Sequence, residues 1–100
     1  MSGTANTDVV YQTARMYLAT VEPRERDRTD IRTLRMRWNE AQGYYIEITL
    51  AALSQRAIDD PDFQLPDDYA PLSGFAIPNV CRFRTADLAA NEAIVMAVEQ

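Results

Sequence analysis

Arginine and aspartate are the residues of this sequence whose types and spacing could do chemistry, and each is concentrated in one segment. Six of the ten arginines lie in "RERDRTDIRTLRMRW", residues 24–38, and five aspartates lie within residues 59–68. Guanidinium groups bind phosphates and carboxylates, whereas grouped carboxylates bind cations or basic protein surfaces. The two segments are therefore candidate binding sites for charged ligands, the first for anions and the second for cations or basic protein surfaces.

The residue types that are missing exclude most covalent catalysis. The sequence has no histidine and no lysine, and it has only three glycines. It therefore lacks a histidine base or metal ligand, a Schiff-base lysine and a glycine-rich phosphate loop. Cys81 is the single cysteine, so it has neither a disulfide partner nor an activating imidazole. We predict that the chain is not an enzyme and has no catalytic residue, metal site or cofactor.

The aspartate-rich segment "DDPDFQLPDDYAPLSG", residues 59–74, contains three prolines and no basic residue. It predicts a long extended loop, a length that is uncommon in a small domain unless the loop has a function. It does not match the calcium-loop pattern. A solvated acidic loop is the simple interpretation. The functional interpretation is a protein-binding surface that imitates phosphates and occupies a basic groove of a nucleic-acid-handling partner, formed by Asp59, Asp60, Asp62, Asp67 and Asp68.

Length and composition predict one globular domain covering residues 1–100, with residues 1–6 disordered. Apolar residues make up 47% and charged residues 25% of the sequence, which is ordinary for a globular protein. No apolar run approaches the roughly 18–20 residues that span a bilayer, and no secretory signal is visible. We therefore predict a cytoplasmic protein without membrane contact. The net charge of −5 is unevenly distributed, because residues 1–38 carry seven arginines against five carboxylates.

The N-terminal third predicts a helix followed by a charged connector. Thr7 is a candidate N-cap. The helix would end near Glu22, before Pro23. Residues 23–30 alternate in charge sign and predict a solvated connector. The apolar stripe of the helix recurs at spacings of three and four residues: Val10, Tyr11, Ala14, Tyr17, Leu18 and Val21.

Residues 33–38 and 44–50 alternate between apolar and polar side chains, which predicts two half-buried strands of a hairpin. In the register that pairs like faces, paired position numbers sum to 82. Trp38 and Met36 then belong to the core, and Arg37 lies opposite Tyr45 on the polar face. Arg35 lies opposite Glu47, which predicts a cross-strand ion pair.

The C-terminal half predicts one more strand and a final helix. Residues 51–59 fit either a strand extension or a short helix. Residues 75–84 fit a strand with Cys81 and Phe83 toward the core. Thr85 is a candidate cap for a helix over 86–98, although "IVMAV" also suits a buried strand. The predicted apolar side of that helix consists of Ala90, Ala93, Ile94, Ala97 and Val98.

These elements predict an α+β fold with the order α-β-β-β-α, in which two helices pack on one face of a three-stranded antiparallel sheet. A long acidic loop precedes the last strand. The other face of the sheet would be open, and it is a secondary candidate surface. Its side chains are Arg35, Arg37, Tyr45, Glu47, Arg82 and Arg84.

The predicted element order is similar to that of double-stranded RNA-binding domains. Those domains place lysines at the start of the last helix, where this chain has "TADLAANE". In size, acidity and lack of motifs the chain resembles phage-encoded inhibitors such as anti-CRISPR proteins. We therefore predict an interaction module of this inhibitor class. The alternatives are a nucleic-acid-binding module that uses the arginine-bearing sheet face, and a structural or assembly subunit. The sequence leaves the partner and the oligomeric state open.

Overall fold

The computed structural model describes the backbone of residues 2–73 and 78–99, and the side chains from residue 7 onward in those ranges. The described residues form three helices and one four-stranded antiparallel sheet, so the predicted α+β class is confirmed. The sheet order is β1-β2-β4-β3. The elements are α1 (Ser2–Thr29), β1 (Arg35–Asn39), β2 (Gly43–Thr49), α2 (Leu50–Asp59), β3 (Ala70–Pro71), β4 (Val80–Arg84) and α3 (Ala86–Glu99).

Helix α1 is longer at both ends than the sequence predicts. It begins at Ser2 and continues through Pro23 to Thr29, so the N-cap at Thr7 and the connector over 23–30 are wrong. The alternating charges of this segment stabilise the helix, because they fall at helical spacing. Glu22 pairs with Arg26 at 3.1 Å. The predicted disorder of residues 1–6 stays a prediction.

The hairpin register is confirmed, but the burial of two of its residues differs from the prediction. Arg35 pairs with Glu47, Arg37 with Tyr45 and Trp38 with Tyr44, as predicted. Trp38 is 51% exposed and is not a core residue, whereas Tyr45 is only 4% exposed. Alternation along a strand sets the side of the sheet, but cover by neighbouring elements decides burial.

The hairpin turn depends on Gly43, whose φ is +72°. Residues other than glycine rarely adopt this φ, and an added Cβ would collide with the carboxylate of Glu92. That carboxylate is held in place, because it accepts a hydrogen bond from the backbone nitrogen of Tyr44 at 3.1 Å and forms an ion pair with Arg84.

We expect Gly43→Ala to destabilise the fold by about 2 kcal/mol, because backbone strain adds to the displacement of Glu92. Thermal unfolding followed by circular dichroism measures the effect. Gln42→Ala is the control, since among the described residues only the backbone of Gln42 makes hydrogen bonds, and it should change stability by less than about 0.5 kcal/mol. Equal melting temperatures for Gly43→Ala and the wild type would contradict this account of the turn.

The segment between β2 and β4 differs from the prediction. Residues 50–59 form helix α2, which Thr49 caps by accepting a hydrogen bond from the backbone nitrogen of Ala52. Asp59 thus belongs to a helix rather than a loop. Beyond it, Ala70 and Pro71 pair with β4, so the sheet has four strands instead of three. The element order is therefore α-β-β-α-β-β-α. Residues 75–77 of the predicted last strand lie outside the described residues.

The predicted final helix is confirmed, and its buried side is not the one predicted. Thr85 accepts a hydrogen bond from the backbone nitrogen of Leu88 at 3.1 Å, as an N-cap does. The buried residues of α3 are Leu88, Glu92 and Val95. The buried residues recur at spacings of four and three along one side of the helix, and this side is rotated away from the alanine-rich stripe. Ala90, Ala93, Ala97 and Val98 are exposed.

The core lies between the helices and one face of the sheet, where α1 also packs against α3. Its most buried side chains come from α1, the following loop, the sheet and α3: Ala14, Val21, Leu34, Ile46, Ile48 and Leu88. Phe83 belongs to this core and Cys81 packs against it, as predicted, although Cys81 is only half-buried. No described helix is long and apolar enough to cross a membrane.

Candidate functional site

The face of the sheet opposite to Ile46 and Phe83 carries all six residues of the predicted secondary surface. We call this surface the arginine face. The strand register places Arg35, Glu47 and Arg82 in one row across β1, β2 and β4. The complete set is Arg35, Arg37, Tyr45, Glu47, Arg82 and Arg84. Residues from three strands, up to 49 positions apart in sequence, therefore meet on one surface.

Glu47 is the carboxylate at the centre of the arginine face. One of its oxygens accepts from Nε of Arg37 at 2.9 Å, and the other accepts from Nε of Arg82 at 3.1 Å. Arg35, which the register places beside Glu47, makes no ion pair with any residue that the structure describes. The predicted Arg35–Glu47 ion pair is therefore wrong. Glu47 instead bonds Arg37, which lies diagonally across on β1, and Arg82, which lies directly opposite on β4.

Arg84 differs from the other arginines of the face because the fold uses its charge. Its guanidinium donates to the Glu92 carboxylate at 2.5 Å and to the backbone oxygen of Gln42. These contacts join β4, the hairpin turn and α3. Of the remaining three arginines, Arg37 and Arg82 share the carboxylate of Glu47, and Arg35 adds a further positive charge, so arginines outnumber carboxylates among the six residues of this face.

Tyr45 lies on the arginine face without being accessible. It is 4% exposed, and the guanidinium carbon of Arg82 lies 4.8 Å from the centre of its ring. This cation–π contact and the bond to Glu47 fix Arg82, whose side chain is 12% exposed. Arg37, at 50% exposed, reaches much further into solvent.

The acidic segment is more neutralised than its sequence suggests. Arg28 of α1 donates to both carboxylate oxygens of Asp68, at 2.9 and 3.0 Å. Arg56 lies 3.7 Å from Asp60, and Gln55 donates to Asp59 at 2.9 Å. Asp60 and Asp68 therefore each have an arginine partner in space, although residues 59–74 contain no basic residue. Asp62 and Asp67 are exposed.

A buried polar cluster fixes the end of this segment to α1. The phenol of Tyr69 donates to Glu25 at 2.5 Å, and Arg28 donates to the same carboxylate at 3.0 Å. Burial, together with the hydrogen bond to Glu25, raises the pKa of Tyr69 well above its usual value. The cluster stabilises the fold. The sequence could not predict it, because Glu25 stands among alternating charges that are typical of an exposed segment.

The sequence matches the model of MutS family domain IV over residues 8–100. The chain belongs to this family. Similar proteins include the DNA mismatch repair protein MutS of Methanococcoides burtonii, which is 32% identical over 84% of the chain. The MutS of Methanosarcina mazei is 34% identical over 83%, and that of a Thermotoga strain is 37% identical over 79%. The chain spans only 8–9% of the length of these relatives.

Membership in the MutS domain IV family overturns the predicted function. The prediction of a phage or anti-CRISPR-like inhibitor is wrong, because the family match and the relatives are those of DNA mismatch repair proteins. The predicted similarity to double-stranded RNA-binding domains is also wrong, because it was based on the order α-β-β-β-α and the observed order is α-β-β-α-β-β-α. The chain is related to proteins that handle DNA. A direct protein partner and a cytoplasmic location stay predictions.

Proposed function

We propose that this MutS domain IV chain contacts duplex DNA through the arginine face, as one module of a mismatch repair protein. The relatives are named DNA mismatch repair proteins, which supports DNA as the ligand. The observation that carries the choice of surface is its charge. Arg35 has no ion-pair partner among the described residues, while Arg37 and Arg82 share the carboxylate of Glu47.

The chemistry of the face favours DNA phosphates over bases. Guanidinium groups form strong, charge-assisted hydrogen bonds to phosphate oxygens. Stacking on a base requires an accessible ring, and Tyr45, the aromatic residue of this face, is 4% exposed. Phosphate contacts position a protein on DNA without reading its sequence. We therefore expect weak, sequence-independent binding to the duplex.

We also propose that the module has no catalytic activity of its own. The absence of histidine and lysine from the sequence supports this, because general base catalysis near neutral pH would need a carboxylate with a strongly raised pKa. Its contribution would be to hold DNA.

We expect the double variant Arg35→Gln, Arg37→Gln to weaken duplex binding about tenfold at low salt, since two exposed phosphate contacts are lost. The slope of log affinity against log salt should fall by about two. Fluorescence anisotropy with a labelled duplex, repeated at several salt concentrations, measures both quantities.

The matched control is the double variant Arg15→Gln, Arg24→Gln. It removes the same charge from α1, where these arginines contact the rings of Tyr11 and Tyr17. It should retain most of the affinity. A control that loses as much binding as the first variant would mean that DNA responds only to net charge, and the arginine face would not be the site.

A further inference from the structure

We propose that Glu47 is an internal competitor of the DNA phosphate, and that its carboxylate sets the affinity of the arginine face. This inference rests on the proposed function, because it assigns a role to one residue of the same surface. A carboxylate and a phosphate bind a guanidinium with similar geometry. Glu47 therefore occupies for Arg37 the position of the ligand.

The contacts of Glu47 show how the competition works. Its two oxygens are divided between Nε of Arg37 and Nε of Arg82, at 2.9 and 3.1 Å. Its side chain is 15% exposed, so water weakens these ion pairs less than those at the surface. As long as both bonds persist, the carboxylate cancels one of the positive charges that a phosphate would meet.

The two arginines respond differently to an arriving phosphate. Arg82 is 12% exposed and lies over the Tyr45 ring, so it stays with Glu47. Arg37 is 50% exposed, and its long side chain can turn outward. DNA binding then exchanges the Arg37–Glu47 ion pair for an Arg37–phosphate ion pair. Glu47 retains Arg82, so no buried charge is left unpaired.

This arrangement predicts opposite effects on affinity and stability. Replacing Glu47 with Gln removes the competing charge, so the face attracts phosphate more strongly. The same change removes the carboxylate that lies between Arg37 and Arg82, so the repulsion among the arginines of this face grows in the folded state and lowers the melting temperature. A carboxylate with a purely structural role would lower the melting temperature without tightening the binding.

The test compares duplex affinities of the wild type, Glu47→Gln and the control Glu40→Gln at a temperature where circular dichroism shows all three to be folded. Glu40 is exposed in the hairpin turn and makes no ion pair with any described residue, so its substitution gives the same change in net charge. We expect Glu47→Gln to bind about fivefold tighter than wild type, and Glu40→Gln to differ by less than about twofold. Binding by Glu47→Gln that is no tighter than by Glu40→Gln would overturn the proposal.

A second measurement needs no substitution. In the wild-type chain, NMR signals of the arginine Nε–H groups are followed while duplex DNA is added. The signal of Arg37 should shift and that of Arg82 should remain in place; the reverse pattern would also overturn the proposal. DNA contact by the arginine face and competition by Glu47 are tested separately. If the variant lacking Arg35 and Arg37 binds as wild type does, the proposed function fails; if it binds weakly while Glu47→Gln binds no tighter, only the role of Glu47 fails.

Discussion

Substitution of Ile46 by Asp should leave the chain unfolded at room temperature. Ile46 is 1% exposed and lies in the central strand β2, between Met36 of β1 and Phe83 of β4. An unpaired carboxylate there has no hydrogen-bond donor and removes apolar contacts from both neighbouring strands. The expected cost is about 4 kcal/mol or more, comparable to the whole stability of a small domain.

Far-ultraviolet circular dichroism and a thermal melt measure this effect. Ser54→Asp is the control, since Ser54 is exposed on α2 and should change stability by less than about 0.5 kcal/mol. A cooperative melt of Ile46→Asp near the wild-type temperature would show that the core face of the sheet has been misassigned.

Substitution of Glu25 by Ala should have the next largest effect, a loss of about 2–3 kcal/mol. Glu25 is 5% exposed and accepts hydrogen bonds from the phenol of Tyr69 and from Arg28. Its removal leaves the buried phenol without this acceptor. The loss stays below that of a fully buried ion pair because Arg28 retains its contact with Asp68.

Urea unfolding at neutral pH measures the loss for Glu25→Ala. Asp27→Ala is the control two positions away, because Asp27 is exposed and lies 3.6 Å from Arg32; it should change stability by less than about 0.5 kcal/mol. Tyr69→Phe should fall between the two. If Glu25→Ala and Asp27→Ala have the same urea midpoint, the cluster does not stabilise the fold.

The parts of the fold that the sequence predicted depend on local periodicity. Alternation from residue 33 to 50 was sufficient for the hairpin register, because a slip by one residue would reverse both faces. Thr85 was identified as a cap since it stands directly before a helical segment. In both cases the signal lies within a few residues of the feature.

The parts that the sequence missed depend on contacts between distant segments. Pro23 suggested a helix end, but ion pairs and packing extend α1 to Thr29. The two-residue strand β3 has no periodicity to detect. Arg82, whose guanidinium lies over the buried ring of Tyr45, is 37 positions away in the sequence, so the hairpin alone cannot reveal this contact.

The candidate site was only half predictable for the same reason. The alternation placed Arg35, Arg37, Arg82 and Arg84 on one face, and the structure brings them together. The arginines were predicted to form only the secondary surface, because carboxylates lie near them in the sequence and no basic residue lies among the aspartates. In space, Arg28 and Arg56 pair with Asp68 and Asp60. The sequence contains no short motif that marks a family, so residue types alone could not indicate MutS domain IV.

The most direct test of DNA contact through the arginine face is an NMR titration of the isotope-labelled chain with duplex DNA, in which every assigned amide is followed. We expect the largest shifts on β1, β2 and β4 around Arg35, Arg37 and Glu47, and little change at residues 59–68. Shifts that are largest at residues 59–68, or absent throughout at low salt, would contradict this expectation.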